Sequence, residues 1–141
     1  MKSITALVMI SLFFFTACKH DHAHEDAHNA SKKVATEVAK KNEVKTISLA
    51  QTVGEFQQKS LTLKEGTYIF NIANKNVDHE VGFVLAPKGK TDQENHIKAA
   101  YVTAPVPTGS SSNTNEVTLT KGEYVYFCPL NPTPEYSLVV E

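Results

Sequence analysis

Apolar and polar side chains alternate along residues 44–141, and turn residues interrupt the alternation at short intervals. Around Leu49, Phe70 and Leu138, every second side chain is apolar. A period of two is typical of strands that bury one face. Since glycine, asparagine and proline turns separate these segments, the sequence predicts an all-β protein, namely a Greek-key β-sandwich.

One insertion departs from this alternation. Thr91-Asp92-Gln93-Glu94 has the pattern of a capping box and leads into residues 95–100. It predicts one short helical insertion in the sandwich. In the predicted strands before and after the turn at residues 74–78, we expect the side chains of Tyr68, Phe70, Phe83 and Leu85 to be buried.

The N-terminus indicates export. Lys2 precedes an apolar run over residues 4–15, which is too short to span a bilayer. Thr16-Ala17-Cys18 resembles the lipobox of bacterial lipoproteins. The sequence therefore predicts removal of residues 1–17 and acylation of Cys18, so that a lipid anchor holds the protein on the periplasmic or surface side of a bacterial cell envelope. An ordinary cleaved signal peptide, or a soluble protein with an apolar start, is the alternative.

Residues 18–43 are interpreted as a flexible tether with too few apolar residues for a stable face. Its first part is rich in histidine and acidic residues, the histidines being His20, His22, His24 and His28. Such tracts bind zinc or copper(II) weakly and adaptably. The alternative is a solvated polar spacer whose histidines are incidental.

The composition excludes nucleic acid as a partner, and the pattern of reactive residues disfavours an enzyme. The chain has a net charge of -1 and contains no arginine, whereas a nucleic-acid-binding domain normally presents a basic surface. Serines, histidines and acidic residues form no recognisable nucleophile–base pattern. We therefore expect a monomer that binds no nucleic acid and is not an enzyme.

Cys128 is the one thiol that would remain if the sulfur of Cys18 is acylated. A single cysteine in an oxidising compartment requires burial, intermolecular pairing or a metal. Cys128 ends a predicted strand and precedes Pro129, and His79 opens an earlier predicted strand. This pattern favours a metal site. The alternatives are that Cys128 is a small buried residue and that His79 caps a turn.

A family resemblance rests on two stretches. Residues 61–81 are similar to the first half of a bacterial cupredoxin of the plastocyanin and azurin type, and residues 109–129 are similar to its second half. The resemblance covers residues 44–141. It implies that His79 and Cys128 are copper ligands at one end of the sandwich. In that family the loop after the cysteine supplies a second histidine and usually a methionine, which complete a trigonal site with a weak axial ligand.

The loop after Cys128 departs from this pattern. Asn131 stands where plastocyanin-like members have histidine, and Tyr136 falls where their methionine would be. An amide oxygen is a poor replacement for imidazole on copper. The resemblance therefore implies an incomplete type 1 ligand set, in which Asn131 and Tyr136 are the substitutes. We expect His96, in the insertion, to be a surface histidine remote from this site.

The sequence favours the first of two classes of function, and the second is the alternative. In the first, the chain is a membrane-tethered cupredoxin-like lipoprotein that binds copper for metal handling or electron transfer, with a redox or copper-transfer protein as partner. In the second, the sandwich is a metal-free binding module that has lost the copper site.

Overall fold

The computed structural model describes residues 43–141, so the predicted signal peptide, Cys18 and the histidine-rich tract lie outside the described residues. The described chain forms strands β1 (Val44–Thr52), β2 (Glu55–Phe56), β3 (Ser60–Leu63), β4 (Gly66–Asn74), β5 (Val84–Pro87), β6 (Ser111–Asn113), β7 (Val117–Leu119), β8 (Gly122–Phe127) and β9 (Tyr136–Val140). Within residues 43–141 no helix is long and apolar enough to cross a membrane.

The strands form two sheets, which confirms the predicted all-β sandwich. One sheet has the order β2-β1-β4-β6, with β7 also paired to β4. The other has the order β3-β9-β8-β5. Strands β1 and β4 run parallel, from Val44 beside Thr67 to Gln51 beside Asn74. The chain therefore enters the sandwich at one end, and β1 and β4 finish together at the other.

The apolar faces of the two sheets pack against each other as the alternation predicts. Tyr68, Phe70, Phe83 and Leu85 are all buried, as expected. Aromatic rings occupy much of the interior: Phe56 meets Tyr126 edge to face at a centroid separation of 5.2 Å. Such contacts add specific geometry to the burial of apolar area.

The insertion between β5 and β6 differs from the sequence prediction. It contains two short 3₁₀ helices, Gln93–Asn95 and Lys98–Ala100, and the N-cap of the first is Asp92 rather than the predicted Thr91, without a side-chain cap hydrogen bond. His96 separates the two helices with an extended backbone. The amide of the next residue, Ile97, donates to the carbonyl of Leu85 in β5 at 2.9 Å. Pairing with the sheet at this point prevents a continuous α-helix.

Candidate functional site

Cys128 follows β8 and has a buried side chain, with 1% of its surface exposed. Two backbone amides donate to its sulfur, that of Gly82 at 3.2 Å and that of Asn131 at 3.3 Å. Its own amide donates to the hydroxyl oxygen of Thr133 at 3.0 Å. The thiol is therefore fixed from both sides, by the segment before β5 and by the loop that follows β8.

The side chain of Gln51, at the end of β1, connects these two segments. Its Nε2 donates to the carbonyl oxygen of Gly82 at 2.7 Å, and its Oε1 accepts a hydrogen bond from Asn131 Nδ2 at 3.2 Å. Together with the two amides on the sulfur, these bonds close a ring through Gln51, Gly82, Cys128 and Asn131. We call this arrangement the thiol ring and its end of the sandwich the thiol pole.

Asn131, a proposed substitute ligand, has a buried side chain whose nitrogen and oxygen both have protein partners. Besides Gln51, its Nδ2 donates to the carbonyl of Thr52 at 2.9 Å, and its Oδ1 accepts from the amide of Gly54 at 2.8 Å. A primary amide has two donor hydrogens and one acceptor oxygen. The side chain therefore ties the loop after Cys128 to the turn between β1 and β2.

His79 lies at the thiol pole, but in a bend before β5 rather than at the start of a strand. The predicted inward face continues through Val81, Phe83 and Leu85, whereas the His79 side chain is 52% exposed. The reason is local: Asn74, at the end of β4, donates from Nδ2 to the His79 carbonyl at 2.8 Å and accepts from the amide of Val77. These bonds hold the segment in a turn.

The imidazole of His79 contacts two acceptors. Its Nε2 is 3.0 Å from the carbonyl oxygen of Leu130, and its Nδ1 is 2.8 Å from Asp78 Oδ1. A carbonyl and a carboxylate only accept hydrogen bonds, so each nitrogen must carry a hydrogen to make both bonds. A metal ligand needs a free lone pair on nitrogen. Metal binding by His79 would therefore require one of these contacts to be given up.

Tyr136 lies at the start of β9 with its ring in the aromatic core. It packs against Tyr126 at a centroid separation of 5.5 Å and against Phe56 at 5.9 Å. The ammonium group of Lys59 lies over the ring, 5.2 Å from its centroid. These contacts account for the side chain as a packing residue.

The four predicted ligands do not form a ready donor set for a metal. Within residues 43–141, His, Cys, Asp and Glu side chains do not gather into a group of three or more that could hold a metal ion. The Asn131 side chain is hydrogen-bonded to three protein groups, and both His79 nitrogens face oxygen acceptors. In this arrangement the residues do not fit a trigonal copper site. Ligation by His79, Cys128, Asn131 and Tyr136 stays a prediction for a titration to test.

Comparison with solved structures identifies the fold. Auracyanin B superposes with a TM-score of 0.57 at 21% identity, over 69% of this chain and 88% of that protein. Auracyanin A, a blue copper protein from Chloroflexus aurantiacus, gives 0.56 at 18% identity, over 70% of this chain and 100% of that protein. The domain has the cupredoxin fold. Auracyanin from Roseiflexus castenholzii, in its dithionite-reduced form, gives 0.53 at 18% identity, over 68% of this chain and 96% of that protein.

At the sequence level, no family model matches the chain and no curated protein matches it significantly. The cupredoxin resemblance noted from residues 61–81 and 109–129 is therefore supported by the three-dimensional fold. At these identities the structural likeness describes the fold and not the activity.

His96 lies in a place that the sequence did not predict. It lines a cleft together with Gly82, Phe127 and Leu130, so it is close to the thiol pole and not remote from it. The expectation of a remote surface histidine is wrong, because the insertion folds back onto the end of β8. The rings of His96 and Phe127 are 5.7 Å apart and nearly perpendicular.

Gln51 and Asn74 were also missed as site residues. Both are buried polar residues at the ends of parallel strands, with no exposed surface. A glutamine and an asparagine near strand ends resemble ordinary turn residues in the sequence. The available signal was that Gln51 continues the inward positions of Ile47 and Leu49 in β1, where a polar side chain requires a buried partner.

Proposed function

We propose that this chain is a membrane-tethered binding module of the bacterial cell envelope, in which the cupredoxin fold is retained and hydrogen bonds close the thiol pole. The thiol ring is the observation that carries the proposal. Its donors and acceptors are buried and already paired. Recruiting the Asn131 side chain as a metal ligand would break its bonds to Gln51, Thr52 or Gly54 and leave buried polar atoms without partners, at a cost of about 1–3 kcal/mol for each group.

A second candidate function is copper handling or electron transfer. Cys128 supports it, because a thiol at the end of β8 receives two backbone N–H bonds in a fold shared with a blue copper protein. Hydrogen bonds to the cysteine sulfur tune the potential of copper–thiolate sites. His79 supports it as well, since its contact with Leu130 brings an imidazole to the loop after Cys128. A redox or copper-transfer protein would be the partner.

The tether and its metals form a separate part of the proposal. Cys18 would carry the lipid anchor, and His20, His22, His24 and His28 would bind copper(II) or zinc on the segment between anchor and domain. This part rests on the sequence alone. Metal binding by the tract requires no metal in the sandwich, so substitutions in the tract and at Cys128 distinguish the two sites.

Copper titration of the full-length mature chain tests the proposal. We expect no intense visible charge-transfer band, and we expect copper uptake to fall when the four tract histidines are replaced by glutamine. An intense band that persists in this tract variant and disappears in Cys128→Ala would overturn the metal-free proposal and establish the copper candidate.

Asn131→His adds a discriminating variant. If the thiol pole is a copper site with one ligand missing, the added imidazole should create or strengthen the absorption band. If the thiol ring replaces the metal, the same variant should lose stability and gain no band, because a histidine cannot reproduce the bonds of the amide to Gln51, Thr52 and Gly54.

A further inference from the structure

The cleft beside the thiol pole has the size and shape of a small-molecule site. Its volume is about 610 Å³, within the range of about 300–1,000 Å³ for ligand pockets. It lies between the start of β5, the insertion and the residues that follow β8. Most of its lining is apolar, and its aromatic and aliphatic walls include Phe83, Phe127 and Leu130.

His96 and Tyr101 give one wall of the cleft a fixed geometry. Their rings are 5.9 Å apart and nearly perpendicular, and His96 meets Phe127 in the same way. The imidazole is held at both nitrogens: Nε2 lies 2.9 Å from the carbonyl oxygen of Thr91 and Nδ1 lies 2.8 Å from the hydroxyl oxygen of Tyr101. Edge-to-face contact is a preferred arrangement of aromatic pairs, so these contacts and hydrogen bonds hold the wall in place beside the cleft.

The hydrogen bonds of His96 decide what Tyr101 can offer to a ligand. The Thr91 carbonyl only accepts, so Nε2 carries the hydrogen. In neutral imidazole the other nitrogen is then an acceptor, and the Tyr101 hydroxyl donates its hydrogen to Nδ1. The hydroxyl oxygen retains acceptor capacity. A ligand that hydrogen-bonds to Tyr101 must therefore supply the hydrogen.

The charge of the lining selects against ions. The cleft is lined by aliphatic, aromatic and neutral polar side chains such as Gln93, and the described part of the chain contributes no Asp, Glu or Lys to it. A charged group entering this apolar site would lose hydration without gaining an opposite charge. A neutral ligand matches the cleft best.

We propose that this cleft binds a neutral aromatic molecule of one or two rings that donates an O–H or N–H hydrogen bond to Tyr101. The inference rests on the proposed function of a binding module and names the class of its ligand. His96 acts here as a positioning residue, since it holds the Tyr101 hydroxyl in the orientation that leaves the oxygen free to accept.

Titration of the full-length mature chain with 2-naphthol, followed by amide NMR shifts and calorimetry, tests this inference. We expect shifts concentrated at the cleft, around Gly82, His96 and Phe127. The methyl ether 2-methoxynaphthalene has the same rings but no donor hydrogen, so we expect it to bind roughly threefold to tenfold more weakly. The anion 2-naphthoate should bind more weakly still.

Two variants complete the experiment. Tyr101→Phe should remove the difference between 2-naphthol and its methyl ether, whereas Tyr124→Phe, on a strand outside the cleft lining, should preserve it. Failure of 2-naphthol to bind, shifts that map away from the cleft in the wild-type chain, or equal binding of the two compounds would overturn the inference. Copper titration decides the proposed function independently, so a failure of one is distinguishable from a failure of the other.

Discussion

The side-chain amide of Asn131 donates to the side-chain oxygen of Gln51 at 3.2 Å, across 80 positions of sequence. This contact joins the loop after β8 to the end of β1 and closes the thiol ring. It places two buried amides at the pole where cupredoxin-type sequences would place a second histidine ligand. The consequence is that a polar network, with its partners satisfied, determines the local structure around Cys128.

Removing the Asn131 amide should destabilise the domain. Asn131→Ala deletes three hydrogen bonds and leaves Gln51 Oε1 and the Gly54 amide without this partner, so we expect the free energy of unfolding to fall by about 2–4 kcal/mol. Asn113→Ala is the matched control, because Asn113 is exposed and its side chain accepts one bond from Asn71. Urea denaturation measures both variants. Equal losses would contradict a special role for Asn131.

Replacing Gln51 of the thiol ring by glutamate should make the stability of the domain depend on pH. In Gln51→Glu, a carboxylate oxygen would replace the Nε2 group that donates to the Gly82 carbonyl. Burial and that carbonyl should raise the pKa of the introduced carboxyl in the folded state. The protonated form of the introduced carboxyl would therefore stabilise the fold. This contribution to the free energy of unfolding would be fully present below the ordinary glutamate pKa of about 4.3 and lost as pH rises through the higher pKa of the folded state.

Thermal unfolding at about pH 4 and at about pH 7 measures this effect. We expect the melting temperature of Gln51→Glu to lie further below that of the wild type at the higher pH. Gln57→Glu, at an exposed position in the same region, serves as control and should show little change. A deficit for Gln51→Glu that is independent of pH would argue against a donor at this point of the ring.

Tyr126 should contribute to loss of stability in alkali. Burial, and second the neighbouring Tyr136, raise the pKa of Tyr126 to about 12. The unfolded chain ionises this group near its ordinary value of about 10, so between about pH 10 and 12 the folded state keeps a proton that the unfolded state loses. The free energy of unfolding therefore falls as pH rises, by up to about 2–3 kcal/mol.

Comparison with Tyr126→Phe isolates that contribution. The variant loses the hydrogen bond from the hydroxyl to the Gln58 carbonyl, so its stability is lower near neutral pH. We expect the difference between wild type and variant to shrink as pH rises through the window. Parallel curves for the two proteins would show that the tyrosine does not titrate as stated.

The proposed anchor can be tested in cells. Acylation at Cys18 requires the thiol, so Cys18→Ser should block processing or release the protein from the membrane fraction. Fractionation and intact mass measure both effects. Cys128→Ser, which changes the other cysteine, is the matched control and should leave membrane association intact. Unchanged mass and fractionation in Cys18→Ser would refute the lipoprotein prediction.

Local pattern was sufficient to predict the fold. Alternation at Tyr68 and Phe70 in β4, and at Phe83 and Leu85 near β5, predicted which side chains are buried, because strand side chains alternate faces with a period of two. The same reasoning failed at His79, where hydrogen bonds from Asn74 hold a turn. The predicted helical insertion is present, but as two short 3₁₀ helices, because Ile97 pairs with Leu85 between them.

The sequence by itself determined the sandwich, its buried faces and the position of Cys128 at a strand end, since these follow from neighbours one or two residues apart. Only the tertiary structure decided what surrounds that thiol. The thiol ring joins Gln51, Gly82, Cys128 and Asn131, and the cleft brings His96 to Phe127, through contacts between residues far apart in the chain. The physical reason is that a side chain's partners depend on strand register and loop path, which local alternation does not specify.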